Sequence, residues 1–509
     1  MRITRNIATL TDLLEFPFEA TLPAAFIRNG GKYDQITYAE FRSMICQNVN
    51  ELEDCDWKGK RIAVAGESGC GWAISFFTIL CKGGTAVLLD NKADPASANG
   101  LLARAECIAI MADNAFLSKT ELNKCIDKIE FSNNYGDLCA DISYETDAEF
   151  HKCLPETPAV IAFTSGTTGD SKFVQLTHRN LTRDIISVVD YFENFIGPNK
   201  IVLPAVPFYH LFGLSCGMLI PLYYGMTIGY TNGLKYLNDT LSTMKPHLIV
   251  TVPVILENMI RKFQIPNADS LNKKELLVKR FLGGNMEIIV SGGASLNEEI
   301  YSFFEDMGIT VCNGYGMTEC SPIITCNPIR KTKKGSVGKI LNNEDKEIKL
   351  VDSEILIRGN IVMDGYLDND TENKKVFSDG WFHTGDCGSI DSEGYLFITG
   401  RKKNLIILSD GNNVAPEELE TLISSCELVT SVVVESKMNG RSEQLAAYIY
   451  PNQDFKERLS ESQIEKEIRH FIKRINKKVS PYKRIAAIEL LEKDFEKTAL
   501  GKVKKIQEI

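Results

Sequence analysis

The chain has 509 residues, enough for about three domains and for a core that needs neither disulfides nor metals. With 57 Lys and Arg against 67 Asp and Glu, the formal charge is −10, and 44% of residues are hydrophobic. That balance excludes a disordered, collagen-like or coiled-coil chain and argues against nonspecific DNA binding, so no nucleic-acid partner is expected. The 14 cysteines include no Cys-x-x-Cys pair; the closest two, Cys320 and Cys326, lie six apart. Zinc ribbons and thioredoxin-like motifs fail on that spacing, and scattered thiols point to a reducing, cytoplasmic setting. The charged Met1-Arg-Ile-Thr-Arg5 start, followed by Asp12 and Glu15, leaves no apolar run for a signal peptide.

In chain order, residues 61–65, 86–89, 160–163, 201–203, 248–253 and 287–290 read as buried strands. Several precede Gly-rich turns and amphipathic stretches, the pattern of a parallel α/β sheet. From about Gly335 the strands shorten and alternate, with turns at 342–345, 378–380 and 391–394, which predicts a β-rich subdomain. Beyond Gly400, residues 416–425 and 460–478 read as helices and 429–435 and 444–450 as strands. A boundary near 402 leaves about 105 residues, an ordinary small-domain size.

Residues 201–234 carry no Asp, Glu, Lys or Arg, long enough to span a bilayer. Pro204, Pro207, Gly213, Gly217, Pro221, Gly225 and Gly229 break the stretch, so buried strand–turn–helix structure is expected and no transmembrane segment. Within it, Gly213-Leu-Ser-Cys-Gly217 matches the nucleophile elbow of hydrolases, with Ser215 as nucleophile. Its place inside a chargeless run speaks against that reading.

Three constellations carry chemistry. Phe163-Thr-Ser-Gly-Thr-Thr-Gly-Asp-Ser-Lys172 follows an apolar strand and precedes a helical stretch. Gly166 and Gly169 let the backbone curl its N–H groups inward; Thr164, Ser165, Thr167 and Thr168 add hydroxyls, and Lys172 adds charge, all suited to phosphate. It is not a Walker A loop, which needs Gly-Lys-Ser/Thr at its end. Asn313-Gly-Tyr-Gly-Met-Thr-Glu319 sets Tyr315 between Gly314 and Gly316, where its ring can stack on a flat base. There Thr318 can bond a phosphate and Glu319 can hold Mg²⁺. Upstream, Ser291-Gly-Gly-Ala294 ends an apolar strand, the edge where open α/β sheets bind ligands. Trp381-Phe-His-Thr-Gly-Asp386 offers a carboxylate to ribose hydroxyls, and Gly400-Arg-Lys-Lys403 and Lys497-Thr-Ala-Leu-Gly-Lys502 add basic loops. Alone, each would be an ordinary turn or polar surface.

In this order and spacing, over residues 161–502, these motifs resemble the adenylate-forming superfamily of acyl- and aryl-CoA synthetases, adenylation domains and beetle luciferases; the wording is closest to stand-alone fatty acyl-CoA ligases. The resemblance implies an α/β fold. A large N-terminal domain of stacked α/β sheets with a β-rich subdomain spans 1–402, and a small mobile α+β domain spans 403–509. It also implies that a carboxylic acid attacks the α-phosphate of ATP, giving acyl-AMP, after which a thiol displaces AMP. Residues 164–172 would hold the β- and γ-phosphates, and Gly292, Gly293, Ala294 and Tyr315 would frame the adenine, with Asn313, Gly314 and Gly316 beside Tyr315 in its motif. Thr318 would touch the α-phosphate, Glu319 the Mg²⁺, and Asp386 and Arg401 the ribose. Lys502 would bridge carboxylate and α-phosphate, where a cation stabilises the charge that builds on phosphorus. Lys403 would be the hinge.

The chain departs from relatives at Ser171, at Phe173, expected to narrow the phosphate turn, and at Leu500 and Lys505. Pro207-Phe-Tyr-His-Leu-Phe-Gly213 lacks the carboxylate that amino-acid-activating domains use, so an uncharged, apolar acid is expected, with His210 as a gate. Gly316 stands where acetate-activating relatives place a blocking Trp, which implies an open pocket. Coenzyme A is the expected acceptor, or the phosphopantetheine of a separate acyl carrier protein. A net +6 over the last 39 residues suits either partner. The competing class is a noncatalytic adenylate-binding protein, against which Lys172, Glu319 and Lys502 are all present.

Overall fold

The structure, a computed structural model, describes residues 6–16, 18–29, 31–140, 147–164, 171–188, 191–192, 195–231, 233–263, 271–340, 345–408, 413–439, 442–456 and 458–495. Each run expected to be a strand is one, with ends displaced by a few residues. A six-stranded sheet has the order Asp127–Phe131, Cys107–Asp113, Arg61–Ala65, Thr85–Leu88, Pro158–Thr164, Lys172–Thr177. Its strands pair in parallel except the last, which runs back antiparallel beside Pro158–Thr164.

That last strand corrects the expectation of a helix directly after the phosphate loop. The helix His178–Ser187 begins only after it, capped by Thr177, whose hydroxyl accepts from Asn180 N at 3.1 Å. The residues at 172–177 are β-branched and aromatic enough to pair, and Phe173 sits opposite Phe163 with ring centroids 4.9 Å apart. The turn itself, 165–170, lies outside the described residues, and Phe173 is a strand residue. It is buried in the strand, beneath the guanidinium of Arg104.

An eight-stranded sheet runs Ile323–Cys326, Thr310–Gly316, Ile288–Ser291, Leu248–Thr251, Ile201–Pro204, Thr227–Tyr230, Pro23–Asn29, Lys32–Thr37, parallel through its centre and antiparallel at both edges. The main core lies between the two large sheets. The helix Cys70–Cys81, mostly apolar and without a charged residue, is buried on every side; Trp72 stacks on Phe76 and meets Phe208 from the chargeless stretch. Each such ring contributes about 1.5–3 kcal/mol by leaving water. Among the described residues no helix is long and apolar enough to cross a membrane. The stretch from 201 instead makes two strands flanking a helical run, Leu211–Leu214, a wide π turn Ser215–Leu219, and Ile220–Tyr224. Ser215 lies inside that run and not at a sharp strand-to-helix corner. Its side chain is buried and donates to Asp184, so the hydrolase reading falls.

Beyond Gly335 a five-stranded antiparallel sheet is built from Glu347–Val351, Glu354–Arg358, Phe377–Ser378, Trp381–Ile390 and Leu396–Arg401; residues 342–344 of the predicted turn lie outside the described residues. The remainder has its own core. On the helix Glu461–Ile475, Ile464, Ile468, Ile472 and Ile475 form one buried stripe, packed with the strands Val429–Asn439, Ser442–Pro451 and Ile485–Leu490.

The amino-terminal turn Leu10–Leu14 docks through His178, whose Nδ1 accepts from Leu10 N at 3.1 Å. Burial holds this imidazole neutral down to about 4 from the ordinary 6.5, opposed by the charge of Asp12. Between those values the unfolded chain binds a proton that the folded chain refuses, so this group costs stability as pH falls from 6.5 toward 4. Urea midpoints measured from pH 7 to 5 are expected to drop. His178→Asn should make the drop shallower; an unchanged slope would assign it to other groups.

Candidate active site

A cavity of about 2550 Å³ opens where the parallel strands Leu248–Thr251, Ile288–Ser291 and Thr310–Gly316 reach their carboxyl ends. Gly292, Gly293 and Ala294 line it just past one strand, and Asn313, Gly314, Tyr315 and Gly316 end the next. Gly293 holds φ +81°, a left-handed turn that favours glycine. At Gly316 the backbone passes so close to Pro322 that a Cβ would lie 1.8 Å from its carbonyl oxygen. The glycine at 316, read in the sequence as the mark of an open pocket, thus has a second cause in the tight pairing of this turn.

Across the cavity, Asp386 and Arg401 face each other on the neighbouring strands Trp381–Ile390 and Leu396–Arg401. Arg401 Nε donates to Asp386 Oδ1 at 3.0 Å, and the Tyr315 hydroxyl donates to Oδ2 at 2.8 Å. Burial and this carboxylate push the Tyr315 phenol well up, so it stays a donor. Both oxygens of the Asp386 carboxylate are thus held in place.

Thr318 and Glu319 share the short turn Thr318–Cys320. Glu319 is buried, and Tyr366 donates to its Oε1 at 2.8 Å. Burial raises the Glu319 carboxyl above its usual range, with Lys172 and Arg401 pulling it back. A buried carboxylate short of positive charge is suited to a cation. Among the described residues no group of three or more His, Cys, Asp or Glu could hold a metal. As a single buried carboxylate Glu319 is compatible with Mg²⁺, which is usually held by one or two carboxylates together with substrate phosphates. Lys172 lies 4.9 Å from the centre of the Tyr366 ring and is ion-paired with Glu372, which also pairs with Lys375 at 3.3 Å. Thr164 lines the cavity at the end of its strand. Ser165, Gly166, Thr167, Thr168, Gly169 and Lys502 lie outside the described residues.

His210 lines the cavity at the start of the helix Leu211–Leu214. Its ring centroid is 4.4 Å from that of Tyr209, and its Nε2 is buried without a hydrogen-bond partner. Burial lowers its pKa, so the imidazole is neutral. Asp90 also lines this part of the cavity and helps raise the Tyr209 phenol. Near Lys403, Arg401 is tied to Asp386 and Lys402 Nζ reaches Glu354 at 2.6 Å; Asn404 instead donates to Glu417 at 2.6 Å, on the helix Pro416–Ser424. Lys403 thus stands between residues anchored to different bodies of the fold.

Every described site residue reaches this one cavity. Sequence reasoning did not reach Tyr366, Glu372, Asp90 or Glu354, because each is polar surface in the sequence and acquires its role only from a neighbour far along the chain.

The AMP-binding enzyme family matches residues 20–367, and its C-terminal domain matches 403–508. The chain belongs to the AMP-binding enzyme family. It is 28% identical over 426 residues to the long-chain-fatty-acid–CoA ligase FadD15 of Mycobacterium bovis, covering 74% of this chain and 71% of the relative. It is 30% identical over 364 residues to a long-chain-fatty-acid–CoA ligase of Bacillus subtilis, covering 68% and 60%. Among solved structures it resembles ATP-bound MatB from Rhodopseudomonas palustris, with TM-score 0.78, 23% identity and 97% of each chain covered. That likeness extends to the fold: an α/β protein with a large N-terminal sheet domain and a smaller C-terminal one.

Glu372 pairs with Lys172, the lysine expected to meet phosphate. If the two compete, Glu372→Gln should tighten nucleotide binding by about 3- to 5-fold, the worth of one partly exposed ion pair. Calorimetric titration reads this; unchanged or weaker binding would remove Glu372 as a competitor. Gly316→Ala should force the Thr318–Glu319 turn aside and cost about 10²-fold in turnover, as ångström-scale displacement of reacting groups does. Parent-like turnover in that variant would show that the turn yields freely.

Proposed function

We propose that the protein is an AMP-forming acid–thiol ligase that activates a fatty or similar apolar acid and transfers it to coenzyme A. The observation that carries this reading is a cavity with two unlike ends. Its polar rim holds Lys172, Thr318, Glu319, Asp386 and Arg401; its depth is apolar. Leu248 and Val250 both line it, as do Val202 and Val290, so it follows one sheet face from the strand ends back to the first residue of Leu248–Thr251. That is a depth of roughly 10 Å at the strand rise. Met226, just before the strand Thr227–Tyr230, lines it too. Such depth suits a chain of many methylenes better than acetate, and an apolar wall leaves an ammonium unpaired.

In the first step a carboxylate oxygen of the acid bonds to the α-phosphorus of ATP, and the bond to the β-phosphate oxygen breaks, releasing pyrophosphate. Lys172 and the 164–172 loop hold the outgoing phosphates, Thr318 the α-phosphate, Asp386 and Arg401 the ribose, and the 292–294 turn with Tyr315 the adenine. Glu319 would hold Mg²⁺ with the phosphates, and the ion would supply neutralising charge. Lys502 meets the two anions. In the second step a thiol sulfur bonds to the acyl carbon and AMP leaves with the electron pair. The small domain, 403–509, turns about Lys403 between the steps, a motion favoured by the different anchors on either side of that residue. All fourteen cysteines are free, which supports a cytoplasmic location.

Pyrophosphate release with MgATP is expected with octanoate or palmitate, weakly with acetate or amino acids, and should grow with coenzyme A. Release that stops at one turnover despite coenzyme A would move the acceptor to a carrier protein. Lys502→Ala should abolish acyl-AMP formation yet spare thioester formation from supplied acyl-AMP, and Lys403→Pro should do the reverse. Equal loss of both half-reactions in Lys502→Ala would remove its assigned role.

A further inference from the structure

Beneath the acid end of the cavity lies a charge that the reaction does not use. Asp184 and Lys346 are both fully buried, at 0% exposure. Asp184 Oδ2 accepts from Ser215 Oγ at 3.0 Å, and Oδ1 accepts from Ile323 N at 3.1 Å. Both oxygens act as acceptors. Burial pushes the Asp184 carboxyl well up and the charge of Lys346 opposes that rise; Lys346 also donates to Ser187 Oγ at 3.1 Å, one turn along the same helix.

The three segments gathered here all reach the cavity wall: Val188 follows Asp184 by four residues on its helix, Cys216 follows Ser215, and Ile323 is itself a wall residue. They come from distant parts of the chain and share no sheet or helix. The Ser215 segment is the wide π turn, a local loosening of helical geometry that needs an external anchor. The nucleotide turn, which meets this tether where Gly316 pairs with Ile323, has fastenings of its own. Met317 N donates to Pro322 O at 3.0 Å, Met363 N to Glu319 O at 2.9 Å, and Ser321 Oγ to Ile361 O at 2.7 Å.

We propose that Asp184, with Lys346 as its counter-charge, is a positioning residue of the acid site: it pins the Val188, Cys216 and Ile323 walls in register and so sets the affinity and length preference for the acid. This rests on the ligase reading above. A buried ion pair is a weak source of net stability, because desolvation offsets most of its attraction, and an apolar pair of equal volume often folds as well. What the apolar pair cannot do is hold Ser215 and the Ile323 N–H in place.

The test compares Asp184→Leu/Lys346→Met with Asp184→Asn/Lys346→Met and the parent in acid-dependent pyrophosphate release. The Leu/Met variant should melt near the parent. Its KM for octanoate or palmitate should rise about 10-fold with a flattened chain-length profile, while its KM for ATP moves less than about 2-fold. The Asn/Met variant, which keeps an acceptor and the volume, should recover most of the acid KM. Parent-like acid kinetics in the Leu/Met variant, or equal rises in both KM values, would overturn the proposal while leaving the ligase reading intact, since the parent still turns over. If the Leu/Met protein does not fold, Ser215→Ala decides. A higher acid KM at constant ATP KM supports the tether, and an unchanged acid KM overturns it.

Discussion

Parallel pairing is the constraint on which the site depends. Because Leu248–Thr251, Ile288–Ser291 and Thr310–Gly316 run the same way in register, their carboxyl ends form one edge, and the chain must leave each strand there through a turn. Those turns bring backbone to the cavity, and they carry Gly292, Gly293, Tyr315 and, just beyond, Thr318 and Glu319. The same strands present alternate residues to the face behind, so an apolar channel adjoins the polar edge without further construction. One geometric fact thus supplies both halves of an acid-activating site.

Charge is then handled in three separate ways. At the rim, carboxylates are oriented by neutral or cationic donors: Tyr315 and Arg401 on Asp386, Tyr366 on Glu319. At the cavity wall, Lys172 is ion-paired with Glu372. Deeper in, Asp184 and Lys346 are both out of reach of solvent, and the charge of Lys346 opposes the rise that burial imposes on the Asp184 carboxyl. The first set fixes the direction of its carboxylates, the second holds a lysine at the wall, and the third lies among segments behind that wall.

Several particular residues mark where reading the chain fails. Phe173 looked like an intrusion into a phosphate turn, but it faces Phe163 across a hairpin. A strand of six residues after a loop is too short for its period to announce itself, and only pairing with Pro158–Thr164 makes it one. Ser215 matched a nucleophile pattern, yet it serves a carboxylate 31 positions away. Tyr366 and Glu372 had no local signal because their partners are Glu319 and Lys172, far back in the chain.

Legible along the chain were the class of fold, the run of strands and the residue types that line the rim. Those rest on local rules: β-branched runs, glycines where backbone must curl, and charged or hydroxylic side chains at fixed spacing. Family membership followed from the order of such motifs. Tertiary structure alone decided which side chains answer each other. Ion pairs such as Lys172 with Glu372, the tethers on Asp184, and the depth of the apolar channel all join segments separated by tens to hundreds of residues. Coulomb forces and packing act through space, over a few ångströms, and chain order carries no record of that distance.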